Sequence, residues 1–128
     1  MTAWVLYVPM DVPSENQLLR GKTVRARIGK RKHWRALSCN AFRALGFERR
    51  IPDARGKRRV TWERILGPRQ QAFDLSNFIA GLKPIEDGLV DARLLIDDKP
   101  QFYEGRYGQV HDQRDVGPCL RVTIEELE

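Results

Sequence analysis

Along the chain the pattern of apolar and polar positions changes period several times, and each change predicts an element. Trp4 to Val8 are β-branched, aromatic or aliphatic and stop at Pro9, which predicts an opening strand. Asp11 to Asn16, with Pro13 and Ser14 at its centre, reads as a loop. From Arg31 to Leu45 the residues Trp34, Leu37, Ala41 and Ala44/Leu45 recur at helical spacing, with Phe42 on an adjoining face and Gly46 as a stop. An indole at such core spacing reads as buried rather than as a base-stacking surface. Val60 to Leu66 sets Val60, Trp62, Arg64 and Leu66 against Thr61, Glu63 and Ile65, a strand with one mostly apolar face that Gly67-Pro68 ends. A second helix from about Ser76 to Asp91 carries Phe78, Leu82, Ile85 and Leu89 as its buried stripe, with Ser76 and Asn77 suited to its cap. Gly81 and Pro84 predict a kink or split near Ala80 to Lys83. Leu94 to Ile96 reads as a short strand, Gln101 to Glu104 as the start of another, Gly105 to Pro118 as a hairpin loop and Leu120 to Ile124 as the closing strand. With no internal repeat or linker, the pattern predicts one α+β domain over residues 1–128, a mixed sheet of about four or five strands with two main helices.

Composition narrows the classes. The chain has 128 residues, 41% of them hydrophobic, enough for one domain with a real core and against wholesale disorder. Cys39 and Cys119 are far apart and only His33 and His111 accompany them, so no zinc site of ordinary spacing can be written. Two free thiols and an apolar Ala3 to Met10 without a basic leader or cleavage site point to a cytoplasmic protein. No stretch is long enough to span a membrane.

Charge adds a direction. Residues 1–60 hold 15 Lys/Arg against 4 Asp/Glu, and residues 61–128 hold 8 against 13. Arg20, Lys22, Arg25, Arg27, Lys30, Arg31 and Lys32, punctuated by Gly21 and Gly29, predict a basic loop or ribbon. A second basic loop runs from Arg49 to Arg59 and contains Arg55, Lys57 and Arg58, and Arg69 leads toward the acidic half. Such runs suit contact with DNA phosphates, or a solvated surface.

Inside the acidic half, Phe73 to Pro100 carries five aspartates. Asp74 ends a strand-like run, and Asp97 and Asp98 follow the apolar Leu94, Leu95 and Ile96. Ser76, Lys83 and Asp87 fall near one another on a helix face that is expected to meet Asp74 and Asp98. Carboxylates at the ends of separate elements suit Mg²⁺, which takes one or two carboxylates plus water and phosphate oxygens. The plainer reading is that Asp74 caps a helix and Asp97-Asp98 forms a turn.

Asp74-x-Ser76-Asn77, then Lys83, Asp87 and Leu89, then Ile96-Asp97-Asp98 resembles the core signature of the RusA family of Holliday junction resolvases of phages and prophages. That signature runs Asp-x-Asp-Asn, a helical lysine, an Asp-x-Leu step and an apolar residue before an Asp-Asp pair. Trp4 to Pro9 and the following Pro13-Ser14-Glu15-Asn16 resemble the family's opening strand and turn. The resemblance implies a Mg²⁺-dependent (or Mn²⁺-dependent) endonuclease that resolves branched DNA in recombination and repair as a homodimer. By position it places the metal on Asp74 and Asp98, with Asp97 as a ligand or its neighbour, gives Lys83 the catalytic cation, and puts Asn77 and Asp87 beside them. Ser76 stands where the pattern has its second aspartate, and Ala92-Arg93 where Ala-Gly is usual. A hydroxyl is a poorer ligand for a hard dication, so the alternative is a junction-binding protein whose catalysis is weakened or lost. An RNA-binding role has the charge in its favour but lacks the Gly-aromatic stacking motifs of common RNA modules.

Overall fold

A computed structural model of the chain describes residues 2–19, 23–111 and 117–127. In chain order these form β1 (Ala3–Val8), α1 (Glu15–Leu19), α2 (Val24–Glu48), β2 (Arg58–Leu66), α3 (Leu75–Asp91), β3 (Tyr103–His111) and β4 (Cys119–Glu126). The strands make one four-stranded sheet in the order β1-β4-β2-β3. β4 runs antiparallel to both β1 and β2, and β2 is parallel to β3, with α3 as the crossover between them. The fold is a single α+β domain with a mixed sheet.

Period-2 alternation sorts the sheet into two faces. Val60 and Trp62 of β2, Leu120, Val122 and Ile124 of β4, and Leu6 and Val8 of β1 are buried in one cluster with Phe42 of α2 and Phe78, Leu82, Ile85 and Leu89 of α3. Phe42 and Trp62 meet edge to face at 6.1 Å. On the opposite face, Glu63 stands directly across from Arg121, and Arg59 across from both Glu104 and Glu125. Ion pairs join each of these cross-strand partners, so a register slip would lose charge pairing as well as the buried face.

Several elements differ from the sequence reading. The expected basic loop over Arg25 to Lys32 is the first part of α2, a helix of 25 residues. Thr23 caps it by accepting from the Ala26 N–H at 3.1 Å. Arg, Lys and Ala are strong helix formers, and the single Gly29 costs only about 1 kcal/mol. Its buried residues are Ser38, Cys39, Phe42 and Gly46, whereas Leu37 and Ala44 are exposed and Trp34 is half-buried against the core. Gly46 does not stop the helix: it lies where the backbone must pass close to Leu94. A short helix, α1, occupies part of the expected Asp11–Asn16 loop, closed by Ser14 and Gln17, each bonded to the other's backbone N–H. α3 is unbroken through the buried Pro84, and its cap position is Asp74 rather than Ser76 or Asn77.

The strand expected at Leu94–Ile96 is absent; Leu94 and Leu95 instead drop into the core directly after α3. Conversely, Gly105 to His111, the first half of the loop expected over Gly105 to Pro118, belongs to β3. β3 is an edge strand with mostly half-buried residues, so it has no apolar alternation to reveal it.

Both long helices end in the same hydrogen-bond pattern. After α3, the Leu94 N–H bonds the Leu89 carbonyl and the Arg93 N–H bonds that of Val90, with Arg93 at φ 65°. After α2, Ile51 bonds Gly46 and Arg50 bonds Phe47, with Arg50 at φ 56°. Glycine is the usual residue at such a position, so each arginine carries left-handed strain. Arg93→Gly is expected to raise stability by about 1 kcal/mol in urea unfolding.

Two glycines of α3 set its distance from its neighbours. A Cβ at Gly81 would overlap the Pro13 carbonyl, and one at Gly88 would lie 2.7 Å from Ser38 Cβ and 2.9 Å from both the Arg35 carbonyl and the Cys39 nitrogen. Gly29 has open space around it. The same substitution should therefore have opposite signs: Gly88→Ala should destabilise by roughly 1–3 kcal/mol and Gly29→Ala stabilise by roughly 0.5–1 kcal/mol, read from denaturant midpoints.

Candidate functional site

The start of α3 is held by a polar frame. Arg64, on the buried face of β2, bonds both carboxylate oxygens of Asp11, the Gln71 carbonyl and the Gln109 side chain, and lies 3.8 Å over the Phe73 ring. Gln109 of β3 also brackets Phe73, accepting from its N–H at 2.9 Å and donating to its carbonyl at 2.8 Å. Gln70 adds a bond to Asp11 at 2.7 Å. The residue before Asp74 is thus fixed from three sides. The signal in the sequence was an arginine inside an apolar alternation, but its partners lay in segments that read as loops.

Asp74 occupies the cap position of α3, yet its side chain makes no capping bond and is exposed. Its carboxylate is not spent on the helix, in contrast to the plainer sequence reading. Ser76, in the first turn, is also exposed. Asn77 has a structural use: its Oδ1 accepts from the Glu15 N–H at 2.6 Å and ties α1 to α3.

Further along α3, the expected acidic residues do meet a lysine. Lys83 Nζ donates to Asp87 Oδ1 at 3.1 Å and to Asp98 Oδ2. Asp97 Oδ1 accepts from the Asp98 N–H at 2.7 Å, and Lys99 lies 3.9 Å from Asp97. Partial burial works to lower the Lys83 pKa, but the bonds to Asp98 and Asp87 outweigh it and raise it, so the side chain stays an ammonium. The same ammonium holds the Asp98 carboxyl below its usual range. Lys83 is therefore suited to stabilising negative charge rather than to acting as a base. Neither Asp74 nor Ser76 is hydrogen-bonded or ion-paired to this group through its side chain.

Among the described residues, no group of three or more His, Cys, Asp or Glu side chains is arranged to hold a metal. Mg²⁺ requires fewer: one or two carboxylates, with water and phosphate completing its octahedron. The adjacent Asp97 and Asp98 supply hard oxygen donors of that kind, and the uncapped Asp74 is another.

Of the proposed DNA-contacting cations, Arg25, Arg27, Arg31 and Lys32 are exposed on α2, with Lys30 half-buried. Arg55, Lys57 and Arg69 are exposed in loops, and Arg20 and Lys22 lie outside the described residues. Arg58 is a correction. It is 1% exposed, bonds the Leu94 and Pro52 carbonyls and Glu126, and lies over the Trp4 ring, so it clamps the fold and has no face for DNA.

One titratable cluster escaped the sequence reading. Glu86, 6% exposed on α3, accepts from the Tyr107 hydroxyl at 3.3 Å; Tyr107 meets the Tyr103 hydroxyl at 3.2 Å, which accepts from the Trp62 indole at 2.7 Å. Gly105 leaves room for the two hydroxyls. Burial pushes the Glu86 pKa from 4.5 up to about 7, against the lowering influence of Lys83 and the tyrosines. Because the folded value lies above the unfolded one, its stabilising contribution is full at acid pH and is lost as pH rises toward and through 7. Glu86→Gln should gain on the wild type between pH 5 and pH 8, by up to about 3 kcal/mol. Urea unfolding at the two pH values measures it; a pH-independent difference would reject the assignment.

No protein-family model matches the chain, and no curated protein matches it significantly.

Proposed function

We propose that this protein is a metal-dependent endonuclease of branched DNA, of the RusA type, acting as a homodimer in the cytoplasm. The observation that carries this reading is the meeting of Lys83 with Asp98, motif residues 15 positions apart, beside Asp87 and Asp97. The resemblance groups these residues for chemistry, and a purely structural turn has no need of the lysine. Asp98, Asp97 and Asp74 would hold Mg²⁺, which when bound polarises a phosphoryl oxygen and activates a water. Lys83, braced one helical turn away by Asp87, would offer its ammonium to charge developing on the phosphate. Two such sites related by a two-fold axis would suit paired nicks across a four-way junction.

A second reading has its own observation. Ser76 presents an exposed hydroxyl where the resemblance implies a carboxylate, and among the described residues no three acids are arranged to hold a metal. A weakened catalyst that still binds junctions fits this arrangement.

Single-turnover nicking of a four-way junction across Mg²⁺ concentrations separates the two. Slow cleavage at high metal is expected of the wild type, and faster cleavage at lower metal of Ser76→Asp, which also suits the first turn of a helix. Asp98→Asn should abolish nicking while leaving the fold intact, because the ion pair it removes is exposed and contributes about 1 kcal/mol or less. Undiminished cleavage by Asp98→Asn would sink the site; no cleavage by either the wild type or Ser76→Asp would favour the binding module.

A further inference from the structure

We propose that the seam between α2 and α3 is a track for the phosphodiester backbone of a nucleic-acid strand, running along α2 to Lys83. The inference rests on the endonuclease reading and adds the surface on which the substrate lies. A depression of about 140 Å³ is lined by Arg31, Lys32 and Arg35 of α2 and by Lys83 and Asp87 of α3. Lys32 and Arg35 also line a second depression of about 440 Å³, which continues to Arg43 and Asp91. The shared lining makes one groove, with Lys83 near one end and Arg43 near the other.

Its charge is organised for an anion. Five cations, Arg31, Lys32, Arg35, Arg43 and Lys83, face two carboxylates, Asp87 and Asp91. Asp91 is already committed: it accepts Arg35 Nε at 2.6 Å and Nη2 at 2.8 Å, its backbone carbonyl accepts from Arg43 at 3.4 Å, and Arg35 holds its pKa down. The acid orients two guanidinium groups rather than opposing a ligand. Arg35 keeps half its side-chain surface exposed, with Nη1 left outside the pair. Among the described residues, Arg31 and Lys32 have no side-chain hydrogen bond or ion pair.

The dimensions suit a strand. Arg31 and Arg43 are separated by about 18 Å of helix at 1.5 Å per residue. That is about five nucleotides at 3.4 Å each. A linear array of arginines matches a ligand with evenly repeated charge, and the planar guanidinium suits phosphate oxygens. The groove also ends at Lys83, which Asp87 and Asp98 of the candidate site hold in place.

The test measures binding without metal, so that it does not depend on catalysis. Fluorescence anisotropy of a labelled four-way junction, in EDTA and over a range of salt, compares the wild type with Arg31→Gln/Arg43→Gln and with a control of equal charge on β3 and β4, outside both basic runs, Arg106→Gln/Arg121→Gln. The groove variant should lose affinity on the order of tenfold and reduce the log–log salt slope by about two, whereas the control should stay near wild type. Lys32→Gln, at an exposed side chain without a partner, should by itself reduce the slope by about one and serves if the double variant does not fold. Wild-type affinity and slope in the groove variants would overturn the track, while junction nicking by the wild type would still uphold the endonuclease reading. A wild type that neither binds nor nicks DNA removes both. More effective displacement of the junction by poly-glutamate than by unlabelled junction would assign the groove to an acidic peptide and overturn the proposal.

Discussion

The backbone of α3 comes into contact with its neighbours at Gly81 and Gly88, seven residues apart and so on one side of the helix, where the first meets Pro13 and the second meets Ser38, Arg35 and Cys39 of α2. No side chain larger than hydrogen fits either place. This approach lets Phe78, Leu82, Ile85 and Leu89 reach the sheet together and turns Lys83, Asp87 and Asp91 to the outer rim. The candidate site and the cationic groove both lie on that rim, so their geometry depends on how closely the two helices pack.

α3 and the segment after it also separate acids by environment. Asp91 and Asp98 are each held ionised by a cation within hydrogen-bonding reach, Arg35 and Lys83. Glu86, on the buried side of the same helix, has a tyrosine hydroxyl rather than a cation within hydrogen-bonding reach, and burial raises its pKa to about 7. Residue type does not distinguish these carboxyls; partner and solvent access do. The same division separates the arginines. Arg58 and Arg64 are buried and fully engaged with carbonyls, carboxylates and aromatic rings, and they organise chain segments, whereas Arg31 and Arg43 project from α2 at its surface.

The buried arginines place the site from a distance. Arg64 and Gln109 fix Phe73, and with it Asp74, while Arg58 anchors the Leu94 segment that leads on to Asp97 and Asp98. The two acidic stretches flanking α3 are thus each tied to the sheet by a guanidinium, and the lysine between them is carried by the helix.

What the sequence determined by itself follows from short-range patterns. The apolar stripe of α3, the alternation of β2, the opening and closing strands and the α+β class are all properties of neighbouring residues, which periodicity can read. So was the closeness of Lys83 to Asp87, four residues on along one helix face. Tertiary structure alone decided the rest. It made the basic run of α2 a helix, kept Pro84 inside an unbroken α3, drew the polar stretch of β3 into the sheet, and buried Arg58, Arg64 and Glu86 with partners 15 or more positions away in the chain, such as Leu94, Asp11 and Tyr107. It also joined Lys83 to Asp98 without joining either to Asp74 by a hydrogen bond or ion pair. The physical reason is common to these cases. A polar or charged residue resists burial unless a partner reaches it, and the partner is set by packing, which the local pattern does not encode.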